Sequence, residues 1–220
     1  MYKKQKIRPY SLQKEERADS FMSKFCKALA WGLTACLVLS LCGFGGQCAS
    51  IREKVVRVHV LANSDSEADQ ALKLRVRDAV LTAADGMLAD CTDREQALEA
   101  IEAKLPELTI AAEKQIASEG WDYPVKVGLC RMYFTTREYD SGTLPAGVYD
   151  ALRVEIGEAV GKNWWCVVFP TICLPASGGS WDSVLTPGEM DIVENPERYV
   201  VGFKVVEWWE SLCEWFREKS

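Results

Sequence analysis

The sequence predicts an α+β fold, a mainly antiparallel sheet of about four strands with two long helices on one face, preceded by an N-terminal membrane segment. Three observations carry that expectation. A charge-free run extends from Ala28 to Gly46 near the start of the chain. Two later stretches repeat apolar residues at three- and four-residue steps, the period of a helix with one buried stripe. Four shorter runs rich in Val, Ile and aromatic residues have the composition of strands.

The first element is the apolar run, whose length suits a hydrocarbon core of ~30 Å. Residues 1–27 hold eight Lys/Arg against three Asp/Glu, whereas residues 50–220 hold eighteen against twenty-nine. Positive charge is retained on the cytoplasmic side, so the acidic bulk of the chain is expected to face outward. The order is then a basic cytoplasmic segment at 1–27 and a signal peptide or transmembrane helix at 28–48. Small residues from Gly43 to Ser50 offer a cleavage site, and the long basic start favours a retained anchor. Cys36 follows Leu33-Thr34-Ala35 as in a lipoprotein box, but LVLSLCGF continues beyond it, which argues against lipidation.

Val55–Leu61 (VVRVHVL) alternates as a strand with at least one buried face. Asn63-Ser64-Asp65-Ser66-Glu67 then offers Ser64 or Asp65 as the cap of a helix running to about Leu88, with Leu72, Val76, Val80 and Met87 on its stripe. Asp93 caps a second helix that ends before Gly120, and Pro106 should kink or divide it. Val125–Phe134, Tyr149–Ile156 and Trp164–Phe169 read as strands, the last two joined by a hairpin turn over Gly157–Asn163. This α/β domain spans 52–174, a loop-rich linker follows at 175–203, and an amphipathic helix closes the chain at 204–220.

Little chemistry is legible in these residues. His59 is the one histidine, so any triad must use it, and a strand histidine between valines is more economically a packed core residue. Asn63, Asp65 and Asp69 with His59 are explained by a strand end running into a helix cap, so no metal and no cofactor are expected. A net charge of −6 argues against nucleic acid, which is bound by neutralising phosphates. Of nine cysteines, Cys166 and Cys173 flank a proline-containing bend and are the disulfide candidates, with unpaired thiols the alternative. The tryptophans at 164, 165, 181, 208, 209 and 215 either fill the core or present a binding surface.

Two segments resemble a known family: Arg57–Val80 (RVHVLANSDSEADQALKLRVRDAV) and Pro145–Pro170 (PAGVYDALRVEIGEAVGKNWWCVVFP). Together they are similar to the stage II sporulation protein R family of endospore-forming bacteria. The resemblance implies a non-enzymatic signal, exported into the space between the two membranes of the sporangium. There it would activate a membrane-embedded aspartic protease that processes the pro-sigma-E precursor. The expected contact residues are Asn63, Asp65 and Asp69 at the strand–helix junction and Lys162, Asn163 and Trp164 at the turn, positions that caps and turns explain equally well. The competing readings are a cell-envelope hydrolase using His59 with Asp65 or Asp69, and a peptidoglycan-binding module using stacked tryptophans.

Overall fold

The structure, a computed structural model, describes residues 10–88, 90–171 and 180–219. Contacts divide the chain into two units, Met1–Phe44 and Gly45–Ser220. A helix, α1 (Tyr10–Arg52), supplies the described part of the first unit and the start of the second. Its portion from Lys24 to Arg52 is long and apolar enough to cross a membrane. Leu33, Leu37 and Leu39 are exposed there, which is compatible with membrane anchoring or export.

In the second unit the elements run β1 (Val56–Leu61), α2 (Glu67–Ala84), α3 (Arg94–Ser118), β2 (Val125–Phe134), β3 (Arg137–Tyr139), β4 (Gly142–Leu144), β5 (Gly147–Ile156) and β6 (Asn163–Phe169). They are followed by α4 (Pro187–Glu194) and α5 (Val200–Glu218). The fold is α+β, and its four-stranded sheet is mixed, in the order β2-β5-β1-β6. β2 runs antiparallel to β5 and β6 antiparallel to β1, but β1 and β5 are parallel. β3 and β4 form a separate two-stranded sheet that the sequence reading lacked.

This order corrects the expected hairpin. β5 and β6 are not neighbours, because β1 lies between them and pairs with both. Gly157–Asn163 therefore crosses the end of β1 instead of folding β6 back on β5. The physical reason is burial, since all six residues of β1 are buried and a strand buried on both sides belongs at the centre. Val56, Val58 and Val60 share one apolar core with Leu152 and Val154 of β5, Leu72 and Val76 of α2, and Ile101 and Leu108 of α3.

Local signals explain the helices, with two adjustments. Ser66 caps α2, its side chain accepting from Asp69 N, in place of the expected Ser64 or Asp65. Asp93 caps α3 as expected, but this helix runs unbroken through Pro106, whose exposed position lets water reach the carbonyl it leaves unbonded. Within the expected linker, Trp181–Ser183 forms a 3₁₀ turn and Pro187–Glu194 forms α4. α5 begins at Val200, ahead of the expected Lys204. Trp181 is buried, its indole N–H donating to Ser141 O at 2.7 Å.

Candidate functional site

The two expected contact segments meet at the C-terminal end of β1. There the chain passes through Ala62–Ser66 into α2, and the β5–β6 connection lies across it. Gly161 N donates to Ala62 O at 3.0 Å and Glu158 N to Asn63 Oδ1 at 3.0 Å. Lys162 N donates to Asp65 Oδ1 at 2.7 Å, and Lys73 Nζ reaches Lys162 O at 2.9 Å. Close approach requires glycine at two points: a Cβ on Gly157, at φ +59, would meet Asn63 Oδ1 at 2.2 Å, and one on Gly161 would meet Ser64 O at 2.2 Å.

Asp69 is the hub of this junction. It is buried, and its Oδ2 accepts from Ser64 Oγ at 2.5 Å and from Asn63 Nδ2 at 2.9 Å. The Ser64 hydroxyl above all, helped by Asn63, Ser66 and Tyr123, holds its carboxyl below the usual range against the opposing effect of burial. Asn63 and Asp69 Oδ2 are thus engaged inside the fold, while Asp69 Oδ1 is buried without a hydrogen-bond partner. Asp65, Lys162 and Asn163 are exposed, and Trp164 is half-buried with the Arg77 guanidinium 4.6 Å from its ring centroid. The six expected residues are brought together, and those with side chains toward solvent are the ones able to meet a partner.

Gln70, Lys73 and Arg77 also belong to the junction and were not singled out from sequence. Gln70 Nε2 donates to Ser64 O at 2.8 Å, and Lys73 is buried, with burial lowering its pKa. Asp69, Lys73 and Arg77 succeed one another at four-residue steps, so helical spacing from Asp69 was the available signal.

The other side of β1 carries a second polar group. Arg57 is wholly buried, its guanidinium 4.1 Å from the Phe134 ring centroid and 5.0 Å from that of Tyr149. Its Nη2 donates to the Tyr139 hydroxyl, while Nε and Nη1 are buried without a hydrogen-bond partner. His59 is also buried, packed edge-on against Phe134 and Trp165. Burial lowers its pKa, with Arg153 and Arg57 acting in the same direction against Asn163 and Glu155. His59 Nδ1 and Nε2 are buried without a hydrogen-bond partner, so in this structure the histidine is bonded to neither Asp65 nor Asp69. Among the described residues no group of His, Cys, Asp and Glu is arranged to hold a metal.

Cys166 is engaged in a disulfide, and Cys173, its expected partner, lies outside the described residues. Cys91, Cys130 and Cys213 are free thiols.

Residues 52–178 match the family model described as Stage II sporulation protein R. The chain belongs to the stage II sporulation protein R family. It is 38% identical over 123 residues to the stage II sporulation protein R of Bacillus subtilis (strain 168). That alignment covers 56% of this chain and 55% of the relative, so the chain spans about half the length of the curated relative it matches. No solved structure matches it. The sporulation protein R match takes in the whole junction and the mixed sheet, and ends before α4 and α5.

Proposed function

We propose that this chain is an exported signal of sporulation that works by being bound: it docks on and activates a membrane-embedded aspartic protease that processes the pro-sigma-E precursor. The observation that carries the reading is an order of parts. A folded unit of the sporulation family follows directly on a helix long and apolar enough to cross a membrane, with the basic excess on the near side. The intermembrane space of the sporangium is where such a messenger could meet a receptor of the neighbouring cell. The sealed position of His59 supports a binding role over a hydrolytic one, because a general base must reach its substrate.

The contact surface in this reading is the outer side of the junction: Asp65, Lys162, Asn163 and the accessible part of Trp164. Clamping by Asn63, Asp69 and the two glycines holds these groups in one geometry before binding, which lowers the entropic cost of docking. Activation then requires that the surface bind the active state of the protease more tightly than the resting state.

The test is reconstitution in vegetative cells that express the protease and the sigma precursor, with and without the full chain. Cleavage is expected only when all three are present, and cleavage that proceeds without this chain would remove the proposal. His59→Phe should retain most of the signal, whereas Asp65→Arg combined with Lys162→Glu should lower cleavage by about tenfold or more in protein that remains folded, with only a small drop in melting temperature from the lost Lys162 N–Asp65 Oδ1 bond. Loss by orders of magnitude in soluble, folded His59→Phe would favour the hydrolase instead.

A further inference from the structure

α5 has two apolar sides. Phe203 and Val206 are buried against the folded unit. Val201, Val205, Trp208, Leu212 and Trp215 recur at steps of four and three, which at ~100° per residue places them on the opposite side of the helix. Folding leaves that side uncovered, with Val201 72%, Trp208 66% and Trp215 47% exposed. Trp209, at 57%, borders it. An apolar stripe of this kind on the outside of a folded unit marks a surface that something else covers.

The chain itself indicates what covers it. Arg52 Nη2 pairs with Glu210 Oε1 at 2.9 Å, and both side chains are mostly buried. Glu210 lies in the middle of α5, and Arg52 is six residues beyond Gly46, the end of the uncharged run. Even a fully extended chain reaches only ~20 Å over six residues, so α5 is held close to the point where α1 leaves the hydrocarbon. Tryptophan is the residue type enriched at the membrane interface. Lys204 and Lys219 have stems long enough to follow the apolar side while their charges stay in water, and Lys219 Nζ sits 4.0 Å over the Trp215 ring. Glu207, Glu210 and Glu214 add no attraction for anionic lipid, so the match is to a neutral, zwitterionic surface.

We propose that α5 lies in the interface of the bilayer that α1 spans, with Val201, Val205, Trp208 and Trp215 toward the acyl chains. The folded unit is then fixed to the membrane surface at two points, which restrains its rotation about the α1 tether. This assignment rests on α1 spanning the bilayer and is independent of the protease reading.

The experiment uses the full chain in phosphatidylcholine vesicles whose lipids are brominated near either the headgroup end or the methyl end of the acyl chain. A tryptophan placed at the middle of the run, Leu37→Trp in Trp31→Phe protein, reports the α1 span through added quenching by deep bromines, and its absence overturns the proposal along with that premise. In Trp31→Phe protein, shallow bromines should quench roughly a third or more of the remaining emission. Adding Val201→Glu and Val205→Glu keeps every remaining tryptophan and places one acidic residue in the first helical turn and one in the second, both on the exposed side, where glutamate is a good helix former. That variant should fold normally and lose at least about half of the shallow quenching. Equal quenching with and without the two glutamates, or tryptophans that stay open to aqueous acrylamide in vesicles, would overturn the assignment and leave the stripe to a protein partner.

Discussion

Val56, Val58 and Val60 turn one side of β1 into an aliphatic core shared with α2 and α3, whereas Arg57 and His59 turn the other side into a layer of charge and aromatic rings. Both sides are buried, yet by different physics. The aliphatic side gains from removing hydrocarbon from water and from close packing. The polar side places a guanidinium over aromatic faces and leaves several N–H groups without partners, including Arg57 Nε and Nη1, Arg153 Nε and Trp165 Nε1. A desolvated charge of that kind contributes little net stability. The contrast teaches that burial alone does not reveal which residues hold the fold together.

Four measurements would break or sharpen this contrast. The largest effect is expected on the aliphatic side, where Leu152 is fully buried: Leu152→Ala should lower the unfolding free energy by about 2–5 kcal/mol in denaturant titration. Next comes the Glu189 carboxylate of α4, the helix that packs on β4 beside the Arg57 layer. Burial works to raise its pKa, but hydrogen bonds from Lys54, Ser50 and Thr186 hold it down, from 4.5 to about 2. Its stabilisation is present above pH 4.5 and is lost as pH falls toward 2, and Glu189→Gln should cost about 1–3 kcal/mol at neutral pH and little at the acid end.

A smaller effect is expected from His59. Its pKa is lowered from 6.5, so the unfolded chain takes up a proton first and the fold loses stability as pH drops below 6.5. In His59→Phe that part of the decline should vanish from melting curves recorded across this range. The smallest change is expected for Arg57→Met, which keeps the volume and removes the unpaired donors: its stability should stay within about 1.5 kcal/mol of the parent. A cost for Arg57→Met as large as that for Leu152→Ala would end the contrast, and would make the cation–aromatic layer a main support of the fold.

Much of the fold was legible because its signals are local. The alternation in VVRVHVL, the stripes of α2 and α3, and the Asp93 cap each depend on residues within a few positions of one another. α4 was missed inside the expected linker, although Thr186-Pro187-Gly188-Glu189 carries a capping box with proline at the helix start, and Thr186 N donates to Glu189 Oε2 at 2.7 Å. Its surroundings of Gly, Ser and Pro gave it the texture of a loop. The junction was half legible: Asn63, Asp69 and Lys162 stood out, but their meeting depends on β1 lying between β5 and β6, and no local pattern encodes that order.

By itself the sequence determined the apolar helix and the charge difference across it, the identity and period of the main elements, and the motifs that place the chain in its family, because each follows from composition or near-neighbour spacing. Only the tertiary structure decided that β1 pairs parallel with β5 and antiparallel with β6, that Arg57 and His59 are sealed among rings, and that the α5 tryptophans face away from the folded unit. Those outcomes turn on which surfaces find each other across long stretches of chain, where one strand can satisfy its hydrogen bonds with several partners and the burial of the whole selects among them.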